Sequence, residues 1–418
     1  MRIFVAVVAC CLVTPMAASA TTPQPVSVLM LKATWGPTPY TDVEVQAAID
    51  DAAQFLDTAS FSQIQITGTQ TPWLKAYPGE APCATDADWS QFYAQANAAA
   101  ATAGYDVASY DRVVYLLPPD SACIISGDGF GDPVSRRATL IGVLFPGVVA
   151  HELGHTFGMG HAGAVICSDP KTSCARDPYG TPWDVMGSGG NTFVPVGDPG
   201  AKQKAQAGWL TSYRYVTVPG TYTLAALELP STLPQALIVR VAGRELWIDH
   251  REPIGNDAYL NSSIWHKLTQ GIAVHDTAVN SATTPFYLSR PDYLLANNGH
   301  GSWIAGSQPF RIPNVLEVDV VGHVGTTVRV RLRWLDHSPP SAPVLTAPTG
   351  STLSWAMPRD DGTGISGYRV SIDDVPTQAL TQPTLDLSGL PAGAHTVRVT
   401  AIDYAGNTSK TTTLRFTR

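Results

Sequence analysis

The sequence predicts a multidomain α+β chain, with a mixed α/β unit first and antiparallel β-sandwich units after it. Three observations predict this. Strand-like runs alternate with helix-period segments through the first half, which implies a sheet packed on helices. After about Ser212 the pattern changes to short alternating strands separated by Gly and Pro. A proline-rich stretch, His337-Ser338-Pro339-Pro340-Ser341-Ala342-Pro343, then sets off the last segment, since its prolines cannot continue a sheet. A length of 418 residues independently implies two or three domains. The expected boundaries are 1–20, 21–212, 213–336, a linker at 337–343, and 344–418.

The elements follow in order. Val26 to Ala33 is an apolar run that predicts a buried strand. Asp42 is the expected cap of a helix reaching about Phe61, with Val45, Ala48, Ile49, Ala52 and Leu56 at helical spacing. Ile64 to Thr67 is a second strand, Trp89 to Ala103 an Ala-rich helix, and Arg112 to Leu117 a third strand. In the second region the strands are Tyr213–Val218, Tyr222–Leu227, Ala236–Val241, Glu245–Asp249, Gly271–His275, Val315–Val321 and Thr327–Leu332.

The first twenty residues read as a secretory signal: Arg2, an apolar core from Ile3 to Val13, and a small-residue cleavage site at Ala18-Ser19-Ala20. A lipoprotein reading at Cys10 is disfavoured, because so few residues precede that cysteine. No other stretch has the run of about 18 apolar residues a membrane helix needs. The expectation is a secreted or periplasmic monomer. Removing the signal leaves Cys83, Cys123, Cys167 and Cys174, and an even number in an exported chain reads as two disulfides. Of the three pairings, Cys83–Cys123 with Cys167–Cys174 is favoured, because the latter closes a short loop of turn formers, Ser168-Asp169-Pro170. The net charge of −8, with no basic stripe, excludes nucleic acid as the expected partner.

The chemistry concentrates in His151-Glu152-Leu153-Gly154-His155-Thr156-Phe157-Gly158-Met159-Gly160-His161. His151 and His155 are one helical turn apart on one face, the spacing that lets two imidazoles hold a single Zn²⁺. Glu152 is rotated off that line, where its carboxylate serves as general base toward a zinc-bound water. Gly158 can adopt φ > 0 and end the helix, so that His161 returns as third ligand. Three neutral ligands leave a fourth position open, as in a catalytic site. His250, His266, His275, His300, His323 and His337 lack ligand spacing and read as ordinary strand or loop histidines. Asp128, Asp132, Asp360 and Asp361 lie in Gly-rich loops, but no calcium-loop spacing is complete. Calcium is therefore possible without support.

The HExxHxxGxxH pattern resembles the metzincin clan of zinc peptidases, and Trp183-Asp184-Val185-Met186-Gly187 resembles its Met-turn. The resemblance implies that Met186 forms an apolar floor beneath the histidines. HELGHTFGMGHA, a Cys167–Cys174 loop and YGTPWDVMG are most similar to gametolysin-like peptidases, which implies one catalytic Zn²⁺ and protein or peptide substrates, extracellular or cell-wall. No Tyr stands two residues after Met186, so the switchable tyrosine ligand of some clan members is missing there. The clan architecture implies that Arg137 to Val143 is a sheet edge over the cleft, and that Gly187 to Val196 walls the pocket. In the last segment, Trp355, GYRVSI with Tyr368, and LPAGAHTVRVTAIDYAGNTS resemble a fibronectin type III module, with His395 where that family has a corner tyrosine. Two other readings stand beside the endopeptidase: an exported adhesion protein with a vestigial metal site, and a zinc hydrolase of non-peptide amides.

Overall fold

The computed structural model describes residues 22–76, 86–119, 129–169, 173–188, 196–241, 244–262, 268–277, 286–288, 303–304 and 309–418. The expected signal segment, Cys83, Cys123, Asp128, His266, His300 and most of the segment after Met186 lie outside these residues. The described chain is α+β, dominated by sheets, several of them antiparallel.

The first unit contains β1 (Gln24–Thr34), α1 (Asp42–Ala59), β2 (Ile64–Gln70), β3 (Leu74–Lys75), α2 (Asp86–Thr102), β4 (Arg112–Leu117), β5 (Gly129–Asp132), β6 (Arg137–Ile141) and α3 (Pro146–Thr156). The sheet order is β2-β1-β4-β6-β5, with β3 pairing the end of β1. The first four strands of that order are parallel, and β5 runs antiparallel to β6. Both faces are covered over β1, β4 and β6, so those strands are buried almost throughout without alternating. Val26, Val28 and Met30 share a core with α1 and α3, while Leu29, Leu31 and Ala33 pack with Phe92 and Ala96 of α2.

Two expectations are corrected here. The N-cap of α1 is Thr41, not Asp42. The hydroxyl of Thr41 accepts from the Glu44 N–H at 3.3 Å, and Glu44 Oε2 accepts from the Thr41 N–H at 2.7 Å, a reciprocal box that Asp42 cannot form with the same partners. Asp42 instead takes the ammonium of fully buried Lys32 at 2.5 Å. The strand Arg137–Ile141 is not the sheet edge either. Gly129–Asp132 folds back along it and becomes the edge, because Arg136, at φ 55°, turns the chain between them.

The second region contains β7 (Gly163–Asp169), β8 (Ser173–Asp177), α4 (Ala201–Gln206), β9 (Tyr213–Tyr215), β10 (Gly220–Ala225), β11 (Ala236–Val241), β12 (Arg244–Asp249), β13 (Gly271–Asp276), β14 (Phe286–Leu288), β15 (Trp303–Ile304), β16 (Phe310–Ile312), β17 (Leu316–Val324) and β18 (Thr327–Trp334). One sheet has the order β8-β7-β14-β13-β12-β11-β9, with β15 on β13. The other is β10-β18-β17-β16. Leu237, Val239, Ile248 and Val274 of the first share a core with Leu224, Val318, Val330 and Leu332 of the second. The parallel pairing of β14 with β7 runs this sheet directly into the chain that follows the HExxH helix.

The last segment comprises β19 (Val344–Leu345), β20 (Thr352–Ala356), β21 (Ile365–Ile372), β22 (Val375–Pro376), β23 (Thr384–Asp386), β24 (Ala394–Asp403) and β25 (Thr412–Thr417). They form sheets β19-β20-β23 and β22-β21-β24-β25, with Trp355 edge-on to Tyr368 at 5.1 Å in the core between them. His395 ties this unit much as a corner tyrosine would. Its Nε2 donates to the Pro391 carbonyl at 2.9 Å, four residues upstream, and its Nδ1 meets Asp373 at 2.7 Å.

Candidate metal centre

The helix α3 starts at Pro146, which needs no N–H partner at a first helical position. It ends where Gly158 takes φ 91°. The Gly158 N–H reaches the His155 carbonyl at 2.9 Å and the Met159 N–H reaches that of Gly154 at 3.2 Å, the paired bonds of a Schellman ending. A Cβ at position 158 would meet the Gln206 carbonyl at 3.7 Å, an ordinary contact, so the requirement there is the backbone angle. The turn sends the chain back past the helix and brings His161 beside His151 and His155.

The three rings converge. Their centroids lie 4.7 Å (His151–His155), 4.7 Å (His155–His161) and 5.5 Å (His151–His161) apart. One nitrogen from each lies within 4.8 Å of the others. His151 Nδ1 sits 2.7 Å from the Val185 carbonyl and His155 Nδ1 2.8 Å from the Met159 carbonyl. A carbonyl only accepts, so each Nδ1 carries the proton and each Nε2 presents a lone pair. Those two Nε2 atoms face each other at 3.1 Å. Burial, followed by the neighbouring imidazoles, pushes His151 down to about 3 and His161 down to about 4. Burial also lowers His155. At neutral pH the cluster is therefore three uncharged imidazoles with one nitrogen of each within 4.8 Å of the others, a donor set that fits Zn²⁺. Glu152, one position past His151 on α3, is buried at 4% exposure.

Met186 is fully buried and shares a core with Val149, Ala150 and Leu153 of α3. A Cβ on Gly154, the helix position just before His155, would fall 2.7 Å from the Met186 sulfur. The absence of a side chain at 154 is what lets the methionine reach the helix. The turn around it also holds two of the imidazoles: the Val185 carbonyl accepts from His151, and the Met186 carbonyl accepts from the N–H of Ala162, next to His161, at 2.6 Å.

A buried ionic network, not visible to sequence reasoning, anchors the turn. Asp184 accepts from the Met186 N–H and the Gly200 N–H, both at 2.8 Å, and lies 3.4 Å from Arg251. Arg251 also pairs with Asp257 at 2.8 Å and donates to the Asp198 carbonyl at 2.9 Å. Burial pushes Asp184 up to about 6, outweighing the pull of Arg251 and the two N–H donors. Tyr179 was missed as well. Its ring tilts over His161 at a centroid distance of 4.1 Å, arriving from the turn after β8. No periodicity marks either feature, because both depend on contacts between distant segments.

The remaining expected residues separate. The ladder places Cys167 directly opposite Cys174 on β7 and β8. Opposed antiparallel residues have Cα atoms about 4.5–5.5 Å apart, within the span of a disulfide. Asp132 accepts from the Val134 and Ser135 N–H groups, and Asp361 pairs with Arg359. Asp360 converges instead with Asp336 and Asp403, from outside any loop spacing. His250 and His323 do not stand apart as the sequence implies: with Glu252 they form a second convergent group. Among the described residues no helix is long and apolar enough to cross a membrane.

No family model matches the chain, and no curated protein matches it. Similar solved structures include the spore cortex lytic enzyme SleM of Clostridium perfringens, 21% identical over 28% of this chain and 46% of that one, with a TM-score of 0.18. A β-1,2-glucanase of Parabacteroides distasonis is 22% identical over 22% of this chain and 16% of that one, with a TM-score of 0.16. OgpA of Akkermansia muciniphila, solved also with an O-glycopeptide substrate, is 12% identical over 97% of this chain and 96% of that one, at 0.22. The chain thus spans less than half the length of the first two. TM-scores this low carry neither fold nor function, so the chemistry rests on the site's own residues.

Proposed function

We propose that this chain is an exported zinc endopeptidase of the metzincin type, most like the gametolysin-like peptidases. One observation carries the reading: two Nε2 lone pairs face each other at 3.1 Å with a third imidazole in reach, while both Nδ1 atoms are committed to carbonyls. His151, His155 and His161 would hold one Zn²⁺. A bound ion would supply Lewis-acid polarisation of the scissile carbonyl and of the attacking water. Glu152 accepts the proton of that water on its carboxylate and returns it to the leaving amine. The carbonyls of Val185 and Met159 fix the imidazole tautomers, and Met186 closes the underside of the site to water.

An extended peptide would add to the outer edge of β5, with affinity from main-chain hydrogen bonds and little sequence preference. The Cys167–Cys174 register supports a disulfide and hence an oxidising, extracytoplasmic setting.

The test is cleavage of an unfolded protein by the zinc-loaded chain, with and without a chelator. Chelator-sensitive cleavage, restored by added Zn²⁺, is expected. Metal-replete protein that cleaves nothing, or cleaves equally with chelator present, refutes the proposal.

A further inference from the structure

The end of β12 and the strand β17 bring His250, Glu252 and His323 together, in the two-sheet region and apart from the first cluster. His250 is fully buried, Glu252 is nearly so, and the His323 side chain is 30% exposed. His250 Nδ1 lies 2.6 Å from the Gly271 carbonyl, so that nitrogen carries a proton. Its Nε2 then faces Glu252 Oε1 at 2.9 Å, and the same oxygen is 2.6 Å from His323 Nε2. In a neutral His250 this sets an imidazole lone pair against a carboxylate lone pair in a buried position. A proton held between the two atoms, or a metal ion shared by all three groups, relieves that contact.

The donor set favours the metal. Two imidazoles and a carboxylate oxygen within 4.8 Å of one another suit a first-row divalent ion. The partners behind the ligands are in place. Gly271 orients the His250 ring, and the Glu252 N–H donates to Glu228 at 2.9 Å. The exposed flank of His323 gives access from solvent and room for water ligands.

We infer that His250, Glu252 and His323 form a second metal site, for a divalent transition ion of the zinc class, that clamps the two sheets of this region to each other. His250 and Glu252 follow β12 of one sheet and His323 lies on β17 of the other, so a bound ion crosslinks the layers at their rim. Glu252 is a ligand here, in contrast to the base role of Glu152.

The test uses full-length protein loaded with Zn²⁺, exchanged into metal-free buffer and assayed for bound metal. His323→Ala and Glu252→Gln should each hold one equivalent less than wild type while peptide cleavage stays within about two-fold, since neither residue touches the first cluster. His155→Ala should still bind Co²⁺ with a visible absorption band, and its melting temperature should rise with added Zn²⁺. If His323→Ala does not fold, the His155→Ala experiment decides. A His155→Ala protein that binds no metal, or a folded His323→Ala protein with the wild-type metal content, overturns the inference. Failure of the peptidase proposal reads differently: no cleavage by wild type, with the equivalent lost on His323→Ala still present in His155→Ala.

Discussion

Replacing Arg251 with Met tests whether the buried ionic network holds the floor of the metal site. Arg251 is 2% exposed, and its guanidinium serves Asp184 at 3.4 Å, Asp257 at 2.8 Å and the Asp198 carbonyl at 2.9 Å. Methionine keeps most of the volume, so the change removes charge and hydrogen bonds more than packing. It leaves the fully buried Asp184 and Asp257 without their cation. Removing one partner of a buried pair costs about 3–5 kcal/mol, a large part of the ~5–15 kcal/mol that stabilises an ordinary domain. With a urea slope of ~3 kcal/mol/M, the unfolding midpoint should fall by about 1–2 M. Asp184, already raised to about 6 by burial, loses the pull of Arg251 and rises further. Its neutral carboxyl grips the Met186 N–H less strongly, so zinc affinity should drop by about ten-fold. The assay is urea unfolding followed by tryptophan fluorescence, with a competitive zinc titration alongside. A midpoint shift below about 0.3 M, together with unchanged zinc affinity, refutes the assignment of Arg251 as the anchor of the turn.

Two further outcomes follow from single contacts. Gly154→Ala places a Cβ 2.7 Å from the Met186 sulfur and 3.4 Å from that of Met159. The strain of about 1–3 kcal/mol should exceed the ~0.5–1 kcal/mol that Ala gains over Gly in a helix, lowering both melting temperature and zinc affinity; a more stable variant contradicts the packing. His395 is raised above its ordinary value by its bonds to Asp373 and Pro391. Its contribution is complete below about pH 6.5 and is lost as pH rises through the raised value. The C-terminal unit of wild type should therefore lose more stability between about pH 6 and pH 9 than that of His395→Gln, as measured by calorimetry; equal losses refute the link.

Local features were the legible ones. The run from Val26 to Ala33 and the segment Arg112–Leu117 announce strands because both faces of their sheet are covered. The three histidines are legible because a helical turn and one glycine bring them together within eleven residues. The N-cap lies one residue before the one the sequence suggests, since Thr41 and Asp42 are both acceptable caps and only Thr41 has Glu44 three positions on. The edge strand is not legible in the sequence because Gly129–Asp132 is short, glycine-rich and without alternation. Arg251, Tyr179 and the His250–Glu252–His323 group depend on contacts across as many as 73 residues of sequence, where no spacing rule applies. A buried charge looks like a surface charge until its partners are known.

The central claim is that Glu152 acts as the base at a metal held by His151, His155 and His161. The most direct test is the metal content and turnover of Glu152→Gln against wild type, on the same peptide substrate. The variant should keep the wild-type metal content, because Glu152 is not a ligand, and lose about 10²–10⁴-fold in turnover. A variant that cleaves at the wild-type rate, or that loses one equivalent of metal, contradicts the role assigned to Glu152.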